Sequence, residues 1–436
     1  MARGTSIAAG AARTGGAGRL RRSAMIALMA GASLPVAAHA QQQVGPPAAQ
    51  SSPRGGVAAP ERNSLTIGVT ARYDSNVARI GDNAVINPVQ AQGEDIRIGP
   101  YVAIDFARNL GRHQVGLQST LGYDFYAKNS QLNSERISVD PYVSLDLPVC
   151  DLMLSGGVNR RQSDLGDLVY FGALDPSFST KNLETNKRAT GQVTCGDTYG
   201  LRPTFTAEYR EGENSNPLRQ FSNFHSTRLQ PGISYSGPAL GEISVYAVRT
   251  ETELPNQILA PGVNAGYLLR GAGVSYRRSI GTRLTFDGSV SYVDLQPRGS
   301  AQSQEGLNTA INLTLIAGPR LQLVAFANRA FTSSLNSNAS YEINEAYGLT
   351  ANYAANDRLR LRLGGSISPR SYFYDVTPIG PFITSQTQHD IFAGATYNLN
   401  RRMSLTFDTG YQNRRADAFA FNYDNYYAAV GLLFRI

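Results

Sequence analysis

Apolar and polar residues alternate with a period of two from Ser64 almost to the last residue, Ile436, and no other feature restricts the fold so sharply. Leu65, Ile67, Val69, Ala71 and Tyr73 share one parity, and Thr66, Gly68, Thr70, Arg72 and Asp74 share the other. The pattern returns with Val115, Leu117, Leu121, Tyr123 and Phe125 opposed to Gln114, Gln118, Thr120 and Asp124. It recurs over 136–147 and, near the end, over 390–399. Successive side chains of a strand point to opposite faces, so each run reads as a strand with one apolar and one polar face.

A soluble β-sandwich would alternate in the same way; the connections separate the two cases. Eight tight turns punctuate the chain, at 109–111, 149–151, 196–198, 238–241, 280–282, 318–319, 356–357 and 400–401, and they recur every 37–47 residues. Between consecutive turns lie two alternating runs joined by a longer polar loop, such as 164–186, 211–224 or 375–386. Short turns at one end and long loops at the other are the pattern of a transmembrane antiparallel up-and-down β-barrel. Eight short turns separate nine hairpins, which predicts an all-β barrel of about 18 strands (16–20) over residues 64–436. These 373 residues divided by 18 leave about 21 per strand and connection, room for tilted strands of ~9–11 residues. An even count puts both termini on the short-turn, periplasmic side.

The apolar parity is expected to face lipid, because the polar parity is too charged for a dry core. Arg358, Arg360 and Arg362 alternate with Leu359, Leu361 and Leu363, and burying such a ladder dry would cost several kcal/mol per unpaired charge. A barrel of this width leaves an aqueous lumen in which the charges stay hydrated. Candidate lining residues are Arg72, Asp74, Arg97, Asp105, Arg136, Asp140, Arg161, Arg202, Glu208, Arg228, Asp287, Arg358, Arg360, Arg362 and Asp408. Facing charges of this kind either set solute selectivity or brace the wall as ion pairs, and the ladder at 358–362 is the most pointed candidate for meeting an anionic solute. Tyr73, Phe125, Tyr209, Tyr292, Tyr372, Phe373 and Tyr411, at strand ends, are candidates for the interfacial aromatic girdle. The loop 164–186, with Tyr170, Phe171, Asp175 and Phe178, either constricts the lumen or stays on the surface.

Residues 1–40 read as a signal peptide. Arg3, Arg13, Arg19, Arg21 and Arg22 form a basic region, residues 23–36 are apolar, and Ala38-His39-Ala40 precedes Gln41 as a small-x-small cleavage site. Residues 41–63, rich in Gln, Pro, Ala, Gly and Ser, form a flexible periplasmic leader. The whole chain carries a net charge of +7; removing five Arg leaves 7 − 5 = +2, so a nucleic-acid partner has no electrostatic argument. The expected location is the outer membrane of a Gram-negative bacterium, among outer-membrane lipid and lipopolysaccharide.

The last strand places Tyr426, Ala428, Val430, Leu432, Phe434 and Ile436 on one face. Its end, with Gly431, Phe434 and Ile436, resembles the C-terminal signal read by the barrel-assembly machinery, with Ile436 where a terminal aromatic is usual. The segment Ala71-Arg72-Tyr73-Asp74-Ser75-Asn76-Val77 resembles the opening Tyr-Asp-Ser-Asn-Val motif of the β-barrel porin 2 family. That resemblance implies an outer-membrane barrel over most of 64–436. It further implies an association with exopolysaccharide synthesis and export, with polysaccharide or periplasmic export components as partners.

Cys150 precedes the fifth strand and Cys195 ends the sixth, both at the periplasmic rim. If these strands form one hairpin, the cysteines lie opposite each other, ~4.5–5.5 Å apart, within reach of a disulfide; two free thiols are the other reading. Two thiols without a nearby histidine make no metal site, and no cofactor motif is present. The mature chain keeps His113, His225 and His389, none with an identifiable nucleophile partner, which speaks against an enzyme. The leading function is passage of polar solutes or polysaccharide through a water-filled barrel. A structural or adhesive barrel with a plugged lumen, and an outer-membrane lipid or glycan hydrolase, are the alternatives.

Overall fold

The computed structural model describes residues 61–79, 81, 93–163, 181–299, 303–333, 339–374, 383–418 and 421–436. The expected signal peptide, the expected leader through residue 60 and the stretch 164–180 lie outside the described residues. The strands are β1 Arg62–Asp74, β2 Asp95–Leu110, β3 His113–Tyr126, β4 Ser134–Asp146, β5 Cys150–Gln162 and β6 Leu183–Cys195. There follow β7 Gly200–Asn214, β8 Phe224–Gly237, β9 Gly241–Ala260, β10 Val263–Ile280, β11 Leu284–Pro297 and β12 Gln304–Ile316. The last six are β13 Leu321–Thr332, β14 Tyr341–Ala354, β15 Leu359–Phe373, β16 Ser385–Asn398, β17 Met403–Ala416 and β18 Tyr423–Arg435. Each strand pairs antiparallel with the next, and β18 returns to pair with β1, closing an 18-stranded barrel. Closure leaves no sheet edge, the condition for a sheet to cross a bilayer.

The connections at one end of the barrel are two to four residues long, at the eight expected positions. Those at the other end are longer, with one exception. β9 and β10, the longest strands at 20 and 18 residues, meet through Pro261-Gly262 alone. A longer polar loop was expected at this point. Pro261 suits the second position of a type II turn, and Gly262, at φ 78°, supplies the left-handed third, so the hairpin runs on past the barrel wall.

Burial is inverted relative to a soluble protein. On β1, Ile67 and Val69 are 47% and 41% exposed while Arg72 is 5% exposed. On β18 Tyr426, Val430, Leu432 and Phe434 point outward, and across the barrel Arg202 is buried. The outward apolar run spans 65–73 on β1, 284–292 on β11 and 426–434 on β18, the ~9–11 residues that a tilted strand needs to cross hydrocarbon.

Beyond this band, toward the long loops, the two faces exchange character. On β11 the outward residues run Val290, Tyr292, then Asp294, while the inward ones run Asp287, Ser289, Ser291, then Val293 and Leu295, both fully buried. Outward ion pairs mark the same level: Arg160–Glu135 at 2.7 Å, Lys187–Glu211 at 2.9 Å and Arg329–Glu345 at 3.1 Å. Outward tyrosines sit just below and donate to carboxylates: Tyr73 to Glu94, Tyr209 to Glu211, Tyr292 to Glu305, Tyr347 to Glu345 and Tyr411 to Asp424. An amphipathic ring with a wet hydroxyl suits an interface of this kind.

Of the expected girdle residues, Tyr73, Phe125, Tyr209 and Tyr292 are exposed, and Tyr411 packs on Tyr426. Tyr372 departs from the expectation. It lies on the inward parity of β15 and is buried against Ala339, Ile383 and Phe421. Phe373 stacks on Tyr341, with centroids 4.7 Å apart.

Candidate functional site in the lumen

Most charged side chains on the inward parity of the strands meet a partner. Arg72 donates from Nε and Nη2 to the two carboxylate oxygens of Asp74 at 2.8 and 2.7 Å, and its guanidinium lies 4.0 Å over the Tyr427 ring. Asp74 also accepts from Asn425 Nδ2 at 3.0 Å. Arg97 and Arg136 converge on Asp124, at 3.3 and 3.6 Å, across β2, β3 and β4. Arg202 reaches Asp151 at 3.0 Å, Arg188 reaches Asp140 at 3.7 Å, and Arg161 reaches Glu184 at 3.9 Å. Asp105 faces Arg62 at 3.6 Å, Asp287 pairs with Arg277, and Arg228 donates to Gln230 at 2.6 Å. Most of these contacts link neighbouring strands, so the arginines brace the barrel wall.

The 358–362 ladder divides into unlike parts. Arg362 donates to Asp408 Oδ1 at 2.9 Å and lies 4.9 Å over the Phe392 ring. Arg358 precedes β15 and belongs to the turn, where Asn356 Oδ1 accepts from its backbone N–H. Arg358 and Arg360 are exposed and have no ion pair among the described residues. The free positive charge therefore sits at the short-turn mouth, while Arg362 is neutralised farther in.

Sequence reasoning missed the apolar lining of the long-loop half. Val248, Tyr267, Leu269, Val293 and Leu295 point inward from β9, β10 and β11 and bury against Phe331 and Tyr341. Phe224, Leu254 and Ala265 form a second cluster close by. The signal was present in adjacent apolar pairs, Leu268-Leu269 and Tyr292-Val293, which break strict alternation. Next to the first cluster lies a cavity of about 70 Å³, lined by Glu208, Arg210, Arg228, Tyr267, Asn308 and Phe331 among others. Glu208 is buried, with Oε1 3.5 Å from Arg210 Nε. The lumen thus grades from exposed arginines at the short-turn mouth, through ion-pair braces, to an aromatic and aliphatic half.

Cys150 and Cys195 face each other across β5 and β6 at the short-turn rim, with Cα atoms 3.9 Å apart, and are disulfide-bonded. Gly431 and Phe434 lie on β18, Gly431 opposite Thr70 and Phe434 opposite Ile67 of β1, and Ile436 N–H donates to Leu65 O at 2.8 Å. The end of the chain therefore forms part of the closing seam. His225 Nδ1 lies 3.4 Å from the Tyr209 hydroxyl on the outer face. Ala40, Gln41 and the loop aromatics Tyr170, Phe171 and Phe178 lie outside the described residues.

No family model matches the chain, and no curated protein matches it. Among solved structures it is similar to the outer membrane protein OpdK of Pseudomonas aeruginosa, at 10% identity and a TM-score of 0.43, covering 86% of this chain and 99% of that one. OccK2 (OpdF) of the same organism, solved in complex with glucuronate, is similar at 10% identity and TM-score 0.43, over 88% and 100% of the two chains. OccAB3 of Acinetobacter baumannii stands at 10% identity and TM-score 0.41, over 86% and 99%.

Proposed function

We propose that the protein is an outer-membrane channel that passes polar solutes through its lumen, with the short turns in the periplasm and the long loops outside. The observation that carries this reading is the inversion of burial: exposed Ile67, Val69, Val430 and Leu432 make a lipid-facing band, while Arg72, Arg97, Arg202 and Arg362 face a polar interior. A wall of paired charges in a barrel of this strand number favours a path for water and small polar solutes. Residues 1–40 serve as the export signal, cleaved between Ala40 and Gln41, and the β18 terminus serves assembly.

Exopolysaccharide export is the finer reading, supported by the resemblance of residues 71–77. Liposome swelling tests both levels. Proteoliposomes in an iso-osmotic neutral sugar should swell faster than empty ones, and equal rates would refute the channel. Uptake of an oligosaccharide that a general small-solute channel excludes would favour the polymer reading.

A second reading is favoured by the apolar clusters around Val293 and Phe224, which could hold the barrel shut as a scaffold for its loops. Under that reading neither swelling nor ion current occurs.

A further inference from the structure

The four short turns leading into β11, β13, β15 and β17 repeat one device. Each ends in an arginine followed by an apolar residue that opens the strand: Arg283-Leu284, Arg320-Leu321, Arg358-Leu359 and Arg402-Met403. In each case the arginine carbonyl accepts from a backbone N–H at the end of the following strand. The donors are Ile316 to Arg283 at 2.7 Å, Ala354 to Arg320 at 2.8 Å, Asn398 to Arg358 at 2.8 Å and Arg435 to Arg402 at 2.7 Å. Asn356 and Asn400 reinforce the last two turns by accepting from the N–H of Arg358 and Arg402 at 2.9 and 2.8 Å. The backbone at each arginine is thus held rigidly at the rim.

Because each arginine immediately precedes an outward Leu or Met, all four fall on the lumen-side parity. They are exposed, and Arg360 and Arg435, also exposed, share that parity. In the turns from β10 to β18 the acid that opposes them among the described residues is Asp357. The turns from β4 to β9 have the opposite balance, with Asp146 and Asp197, while their Arg202 and Asp151 pair with each other. The mouth is therefore electrically lopsided, with an arc of fixed positive charge over half its circumference.

We infer that this arc is an anion-collecting vestibule that makes the channel anion-preferring and rectifying, with small carboxylate- or phosphate-bearing solutes as its substrate class. Alternate strands place neighbouring arginines roughly 10 Å apart, about one Debye length at 0.1 M salt. Their potentials overlap into a continuous positive arc at low salt and separate at high salt. Fixed charge at one mouth raises the local concentration of the opposite ion there. Anions then cross more readily when driven from the short-turn side than from the long-loop side. Arg360 continues the arc inward, whereas Arg362, held by Asp408, adds little net charge.

The inference rests on the channel reading, and one experiment keeps the two apart. The full-length mature protein is reconstituted in planar bilayers with a KCl gradient and compared with the R283Q/R320Q/R358Q/R402Q variant and with its all-lysine counterpart. Heat-modifiable electrophoretic mobility checks that each is folded, and R358Q/R360Q stands in if the quadruple variant is not. The expected result is an anion-selective, rectifying wild type, a rectification ratio that drops at least about twofold toward unity in the glutamine variant, and recovery with lysine. Rectification should also vanish in 1 M salt, where the Debye length is ~3 Å. A conducting wild type whose reversal potential and rectification are unmoved by the glutamines overturns the vestibule alone. Complete silence overturns the channel and the vestibule together.

Discussion

Asp74 holds the bidentate pair with Arg72 and the amide of Asn425, and so ties the long-loop end of β1 to β18 at the seam where the barrel closes. Charge-assisted contacts of this kind are stronger than neutral ones, and removing one partner strands a buried cation. Asp74→Asn should therefore destabilise the barrel by about 3–5 kcal/mol, whereas Asp197→Asn in an exposed turn should stay within ~0.5 kcal/mol. Denaturant unfolding in lipid decides this, and equal midpoints for the two variants would contradict it. Asp417, in the connection after β17, works differently. Burial disfavours its charge, but the Thr384 hydroxyl and the backbone N–H groups of Thr384, Ala418 and Ser385 donate to it and bring its pKa below the ordinary carboxylate value. A depressed folded pKa contributes stability that is full above the ordinary value and lost as pH falls through the folded one. The connection should thus stay pinned at neutral pH and loosen only below about pH 4. Hydrogen exchange at Thr384, Ser385 and Ala418 reads this directly. In Asp417→Asn the amides should exchange rapidly at neutral pH, and wild-type protection there would remove Asp417 from the account.

Strands are the scale at which the sequence was most legible. Alternation located them, and tight turns such as Asn109-Leu110-Gly111 counted them, because a period of two and a two-residue turn are local properties of the chain. The change of face polarity along one strand was harder to see. On β11 Val293 and Leu295 face inward and Asp294 outward, and only knowledge of where the bilayer ends explains why a single strand obeys both rules. The burial of Tyr372 against Ala339, Ile383 and Phe421 depends on neighbours distant in sequence, which alternation does not report. The break-up of the 358–362 ladder has the same origin: Asp408, 46 residues from Arg362, neutralises one of its three members. A substitution test separates the two zones of a strand. Val430→Arg, inside the outward apolar band, should cost about 2–4 kcal/mol, while Glu251→Ala, outward but in the charged belt above it, should change stability by less than ~0.5 kcal/mol. Similar costs at both sites would mean that the hydrophobic band is misplaced.

At the scale of the whole molecule, three zones are stacked along the lumen: exposed arginines at the short-turn mouth, ion-pair braces in the middle, and an apolar cluster toward the long loops. A solute crossing the barrel would meet its least polar passage last or first, according to direction. If this apolar cluster limits passage, Tyr267→Ala is expected to raise conductance over wild type, and an unchanged or lower value would place the limiting passage elsewhere. The central claim, that this barrel encloses a continuous hydrated path, is met most directly by single-channel recording of the purified mature protein in a planar bilayer. Stable, stepwise current increments on insertion are the predicted result. Correctly folded barrels that insert and carry no current would contradict it.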